Sequence, residues 1–231
     1  MEDSMTGKVR VMTAVYKNIK VSSAEARKVR GFFADLDKED SHLHNHTIDG
    51  LDIYRYPKVQ YKVLGGKPVI VAIEDGIRSI HPHLMEEREI HIGDKTYLDV
   101  DLDIKLSEFP VGDNHQIREY YFLTPWLALN QENIIRYYKA EKEEREELLN
   151  KILIGNILSL CKGLGITVEK QLEVSHQLKS TSILYKGKKM EAFLGSFQVN
   201  ACIPELCGLG KGTSRGFGVV KLKKEREEEN A

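Results

Sequence analysis

Gly208-Leu-Gly-Lys-Gly-Thr-Ser-Arg-Gly-Phe-Gly-Val219 sets five glycines, a lysine and an arginine into twelve residues. Glycine reaches positive φ without a Cβ clash, so glycines alternating with cations make a concave array of N–H donors suited to phosphate. A Walker loop is excluded, because Gly210-Lys211 is followed by Gly212 and the upstream glycine it requires is Glu205. A dinucleotide fingerprint is excluded as well: Gly208 and Gly210 lead to Thr213, and only a short extended run follows. Two readings remain, a glycine-rich hairpin turn with exposed cations and a loop that holds the backbone of a polyanion.

Charge distribution bears on that choice. The 34 basic and 35 acidic side chains nearly cancel, which argues against a uniformly basic nucleic-acid binder. Residues 53–73 (Arg55, Lys58, Lys62, Lys67), 177–190 (Lys179, Lys186, Lys188, Lys189) and 208–224 (Lys211, Arg215, Lys221, Lys223, Lys224) nevertheless contain no acid at all. Such blocks are able to build one cationic face on an acidic body, the alternative being an ordinary solvated surface.

With 231 residues, 41% apolar and 30% charged, the composition is that of a soluble globular protein of one large or two small domains. No run approaches the roughly 18 apolar residues of a membrane span. The opening Met1-Glu-Asp-Ser-Met5 is too acidic for a signal peptide, so a cytoplasmic location without a membrane partner is expected. Cys161, Cys202 and Cys207 are odd in number and lack paired metal-ligand spacing, which favours reduced, buried thiols.

Residues 8–19 alternate as a strand, Ser22 or Ser23 caps a helix over 24–36, and 59–64 with 68–73 flank Gly65-Gly66-Lys67 as a hairpin. Residues 76–88 read as a helix despite Pro82, and 89–92 pair with 97–106 about Gly93-Asp94. Strand, helix, strand, strand, helix, strand is the layout of a ferredoxin-like unit. The second half repeats it coarsely. It has an extended run at 117–127, one long helix over 132–162 stopped by Gly163 and Gly165, strand candidates at 167–176, 179–185 and 191–201, and a last strand at 216–222. The expected fold is α+β, tandem ferredoxin-like (RRM-like) βαββαβ units with antiparallel sheets, divided as 1–113 and 114–231. A single α+β domain is the alternative.

The second chemical cluster is Ser41-His42-Leu43-His44-Asn45-His46, followed within a dozen residues by Tyr54-Arg55-Tyr56-Pro57. In an extended segment His42, His44 and His46 would share a face and could ligate zinc, but no nearby cysteine or fourth ligand is evident. A solvated loop is a second reading. The third is general acid and base work, since imidazole titrates near neutrality. RNA is a substrate for which that suffices: its 2′-hydroxyl is an internal nucleophile, and the enzyme need only orient, take one proton, give another and stabilise the phosphorane. Tyr54 or Tyr56 would donate a proton, orient the phosphate or stack on a base.

Together these residues resemble the repeat-processing endoribonucleases of CRISPR systems, the Cas-six family of the RAMP superfamily. The stretch Gly208 to Gly218, preceded by Ile203-Pro-Glu-Leu-Cys207, looks like that family's glycine-rich loop, and His44-Asn45-His46 with Tyr54-Arg-Tyr-Pro-Lys-Val-Gln-Tyr-Lys62 is similar to the branch called subtype b. The resemblance implies two ferredoxin-like folds in tandem and an endoribonuclease that cuts CRISPR precursor transcripts within the repeat. It implies cleavage without metal or other cofactor, leaving a 5′-hydroxyl and a 2′,3′-cyclic phosphate or its opened product. Carried over by motif, His46 is the first catalytic candidate, His44 its partner or substitute, and Tyr54 or Tyr56 the tyrosine. Gly208, Gly210, Lys211, Gly212, Ser214, Arg215, Gly216 and Lys62 are the expected RNA contacts. Expected partners are CRISPR repeat RNA and other subunits of a CRISPR effector complex, with the chain a monomer or homodimer. A RAMP-type subunit that binds guide RNA without cutting it is the alternative.

Overall fold

A computed structural model describes residues 7–44, 55–185 and 187–224. β1 (Gly7–Tyr16) is followed by a single 3₁₀ turn whose capping box, Ser22 with Glu25, starts α1 (Ala26–Leu36). A one-turn helix, α2 (Ser41–His44), ends at the histidine segment. β2 (Val59–Leu64) and β3 (Lys67–Ile73) form the expected hairpin, with Gly65 and Gly66 both at positive φ between them. α3 (Asp75–Glu86) carries Pro82 inside it. β4 (Glu89–Ile92) and β5 (Lys95–Leu98) then close on each other as a separate two-stranded sheet, so this hairpin is an insertion and not the unit's fourth strand.

The fourth strand is the first part of β6 (Leu102–Phe122), a 21-residue strand. Leu102 to Val111 pair antiparallel with β1, giving the order β2-β3-β1-β6, which is that of a ferredoxin-like unit. Beyond a register shift between Asp113 and Arg118, the same strand pairs with β8 and β9 and becomes the first strand of the second unit. The expected division after residue 113 falls inside this continuous strand.

The expected long helix of the second half is two. Asn130 caps α4 (Gln131–Lys139) by accepting from the N–H groups of Glu132 and Asn133, and a capping box of Glu141 with Glu144 restarts the chain as α5 (Lys142–Gly163). β7 (Val174–Tyr185) and β8 (Lys188–Cys202) form a long hairpin, and β9 (Val220–Leu222) returns to β6. The order β9-β6-β8-β7 repeats the first unit's pattern. In place of a second helix between β8 and β9 stands the glycine-rich stretch, with one 3₁₀ turn at Thr213–Arg215.

Two main cores result. Met12, Ala14, Tyr16, Ile70 and Ala72 meet Val29 and Phe33 of α1 and Ile80 of α3 on one face of the first unit's sheet. Val9, Val11, Val69, Val71 and Ile73, on the opposite face, share a core with Leu153, Ile157 and Leu160 of α5 and with Trp126, Phe193 and Phe197. The first unit's second sheet face is thus covered by the second unit, and those strand residues have no base-stacking surface to offer. Among the described residues no helix is long and apolar enough to cross a membrane.

Candidate active site and RNA-binding surface

The two sequence clusters, some 150 residues apart, meet in the fold. Tyr56 is buried, and its hydroxyl donates to the Gly208 carbonyl at 2.9 Å, while the Gly208 N–H donates to Gln60 Oε1 at 3.0 Å. Both backbone polar groups of Gly208 are held by side chains, one from the approach to β2 and one from β2 itself. Gln60 is oriented by donating to the Pro57 carbonyl, and it accepts from Lys62 Nζ at 2.6 Å. The back of Tyr56 lies against the end of α5, where a Cβ on Gly163 would come within 2.3 Å of Tyr56 Cβ.

Lys62, expected among the RNA contacts, is fully enclosed instead. Gln60 and Lys62 point away from the α1 side of β2, and the glycine-rich stretch covers them: a Cβ on Gly216 would sit 3.2 Å from Lys62 Cα. Burial pushes the Lys62 ammonium down to about 7 and the neighbouring Cys207 thiol up to about 11. The same burial, with Cys207 beside it, holds the Tyr56 phenol well above its ordinary range.

Most of the loop's backbone donors also face inward. The N–H of Leu209 bonds the Gly218 carbonyl, Lys211 that of Leu127, Gly218 that of Pro125, Arg215 and Phe217 that of Gly212, and Gly216 that of Thr213. Gly218, at φ +64, would place a Cβ 2.0 Å from the Leu209 carbonyl oxygen, and Gly210, at φ +80, would place one 2.6 Å from Trp126 Nε1. These glycines are required by packing within the protein, so the array of phosphate donors expected from the sequence is largely used up internally. What the loop turns outward is side chains. Lys211 Nζ and Arg215 Cζ lie 5.6 and 5.9 Å from the ring centroid of Tyr185, near the end of the β7–β8 hairpin. Gly212 belongs to the same close-packed corner, against Phe217 and Tyr185, and Ser214 is half-buried beside Arg215. Two of the three acid-free blocks therefore converge. A cleft of about 220 Å³, lined in part by Tyr56, Asn156, Ser159, Gly210 and Lys211, opens beside the loop.

The histidine segment precedes Tyr56 in the chain. His46 and Tyr54 lie outside the described residues, and His44 is described only as the last residue of α2. The flanks are described. An Arg55 guanidinium nitrogen donates to Ser41 Oγ at 2.7 Å and lies 3.5 Å from His42 Nδ1, so the residues on either side of the segment are tied to each other. His42 Nε2 faces the Asp75 carboxylate at 3.5 Å, and Lys58 binds the same carboxylate at 2.5 Å. Burial and the Arg55 charge hold the His42 pKa below its ordinary value, against the pull of Asp75. Both His42 nitrogens are engaged by the fold. No local pattern in the sequence signalled this Arg55–His42–Asp75–Lys58 cluster, because Asp75 joins it from α3 through tertiary packing.

Two ferredoxin-like units in tandem, with a glycine-rich stretch standing where the last helix would be and docked onto the first unit, define the class of fold. A RAMP protein described as binding different RNA substrates has the same fold at 15% identity and a TM-score of 0.54. The models of the Cas6b N-terminal domain and the Cas6b C-terminal domain match residues 7–109 and 112–223. The chain belongs to the Cas6b family of CRISPR RNA processing endoribonucleases. It is similar to a crystal structure of Cas6b at 34% identity and a TM-score of 0.89, covering 94% of this chain and all of the other. A crystal structure of the CRISPR RNA processing endoribonuclease Cas6b matches at 31% identity and a TM-score of 0.77, with the same coverage. An uncharacterised protein of Methanocaldococcus jannaschii, MJ0978, is 38% identical over 140 residues, 59% of this chain and 94% of that protein.

Proposed function

We propose that the chain cleaves CRISPR precursor transcripts within the repeat, without metal, by attack of a ribose 2′-hydroxyl on the adjacent phosphate. The observation that carries this is the Tyr56–Gly208 bond, which fixes the flank of the histidine segment against the cationic loop. RNA held by Lys211, Arg215 and Ser214 would then lie within reach of the segment that carries two titratable imidazoles.

His46 takes the 2′-hydroxyl proton, His44 or Tyr54 protonates the departing 5′-oxygen, and a nearby cation stabilises the phosphorane; a 5′-hydroxyl and a 2′,3′-cyclic phosphate result. Of the two tyrosines, Tyr54 is the better candidate. The Tyr56 hydroxyl is buried, raised in pKa and committed to Gly208, and a group so engaged does not reach a leaving group. His42 serves the same chemistry indirectly, by fixing the start of the segment to α3. Replacing His44 and His46 with alanine should abolish cleavage of a repeat RNA while leaving its affinity within about twofold. Full activity of that double variant would overturn the assignment.

A further inference from the structure

The second unit's sheet has a face that Leu127 and Phe217 cover at the hairpin end, where they pack with Ile183, Tyr185, Met190 and Ala192, and that lies open from Lys179 to Ser175. Antiparallel partners share a face, so the registers Tyr121–Lys221, Tyr121–Ser196 and Gln177–Ser196 set Lys221, Tyr121, Ser196 and Gln177 in one row across four strands. Ser175 and Gln198 continue it on one side. On the other side Lys179 lies two residues along β7 from Gln177, and the same alternation ends at Tyr185 beneath Lys211 and Arg215. Gln177, Lys179, Ser175 and Gln198 are exposed and Tyr121 is half-buried. A shallow cavity of about 190 Å³, lined in part by Glu119, Gln177, Ser196 and Gln198, makes the middle of the face concave.

We propose that this face is a track for single-stranded RNA, running from the glycine-rich loop down β7 and across to Lys221, with Tyr121 as a base-stacking platform. Charge selects the occupant. Within the strands of this face Glu119 is the one acid, and it is bound by Lys223 at 2.8 Å; exposed Glu173 stands just before β7 begins. Lys179 and Lys221 lie along the face, and Lys211 and Arg215 stand at one end of it, with no acid among their salt-bridge partners. Cations spaced along a polar, half-open sheet with an aromatic ring at its centre are what a sugar-phosphate backbone with splayed bases requires. Ten residues of β7 span about 33 Å, long enough for several nucleotides. The inference rests on the preceding reading in taking RNA as the ligand, and on nothing in the cleavage chemistry.

The test separates the two. A fluorescein-labelled twelve-nucleotide oligouridine, which has no hairpin to bind, is titrated by anisotropy against the wild type, Lys179→Ser/Lys221→Ser and Tyr121→Leu, at several salt concentrations. The lysine variant should bind at least fivefold more weakly, with a salt slope lower by about 1.4 for the two cations removed. Tyr121→Leu should lose at least fivefold with its slope unchanged. Single-turnover cleavage of a repeat RNA by the wild type is read alongside: a wild type that leaves that RNA whole, while the variants still lose oligouridine affinity, would count against the cleavage chemistry and not against the track. Lysine and tyrosine variants that bind oligouridine as the wild type does would overturn the track. A changed sedimentation coefficient with unchanged RNA affinity would give the face to a second copy of the chain and overturn it equally.

Discussion

Lys62→Met is the substitution that most sharply distinguishes an internal lysine from an RNA-contacting one. Burial lowers the folded-state pKa of Lys62 from 10.5 to about 7, and a tenfold change in proton affinity is worth about 1.36 kcal/mol. At pH 7 the unfolded chain holds the proton fully and the folded chain holds it half the time, so folding bears a cost of about 4 kcal/mol. Methionine of similar length removes that cost and forfeits the hydrogen bond to Gln60, worth about 1 kcal/mol, while Gln60 Oε1 keeps the Gly208 N–H. The variant should be more stable by about 2 to 3 kcal/mol at pH 7 in urea unfolding. Because the unfolded state binds more protons between about pH 7 and 10.5, wild-type stability gains from this lysine as pH rises through that window. The variant's advantage should therefore fall to about 1 kcal/mol or less by pH 9. Its RNA affinity should keep the wild-type salt slope. A destabilised variant with wild-type pH dependence, or a salt slope lower by about 0.7, would show that Lys62 reaches solvent and substrate and refute the reasoning.

Three further outcomes are expected. Tyr56→Phe leaves the buried Gly208 carbonyl without its donor and should destabilise the protein by about 1 to 3 kcal/mol, measured by denaturant titration; the cleavage rate at saturating enzyme should stay within about threefold at a temperature where the variant is folded. Lys211→Ala/Arg215→Ala should weaken repeat-RNA binding and lower the salt slope by about 1.4, with the thermal midpoint little changed, since both side chains are at the surface over Tyr185. Gly218→Ala should fail to reach wild-type stability at any pH, because its Cβ would fall on the Leu209 carbonyl at a positive φ; circular dichroism melting reads this directly.

Much of the architecture was legible because local chemistry and tertiary structure agree there. Gly65-Gly66 between two apolar runs gave the hairpin, and Ser22 with Glu25 marked the entry to α1. The continuous strand β6 was not legible across Pro110, Gly112 and Asp113-Asn114, residue types that interrupt a strand pattern. In the fold Pro110 lies within the β1 pairing, Gly112 takes φ +114, and the shifted register after Asp113 absorbs the irregularity. The break between α4 and α5 was hidden by helix-favouring residues on both sides of Ala140, and its signal, Glu141 capping with Glu144, uses an uncommon cap.

In the site, residue type was informative and exposure was not. A lysine and a tyrosine on a basic, aromatic strand look like surface groups until a loop some 150 residues later covers them, and only the fold shows that Tyr56 and Lys62 support the glycine-rich stretch from beneath. The convergence of Lys211 and Arg215 on Tyr185 was foreseen only as segregation of charge along the chain.

The central claim is 2′-hydroxyl attack without metal, and one cleavage assay tests it most directly. The purified protein is incubated in EDTA with a repeat RNA and with the same RNA carrying a single 2′-deoxynucleotide immediately before the cut. The account predicts cleavage of the first at an undiminished rate, ending in a 2′,3′-cyclic phosphate, and an intact second RNA that remains bound. Scission of the deoxy-substituted RNA at that position, or loss of all cleavage in EDTA, would contradict it.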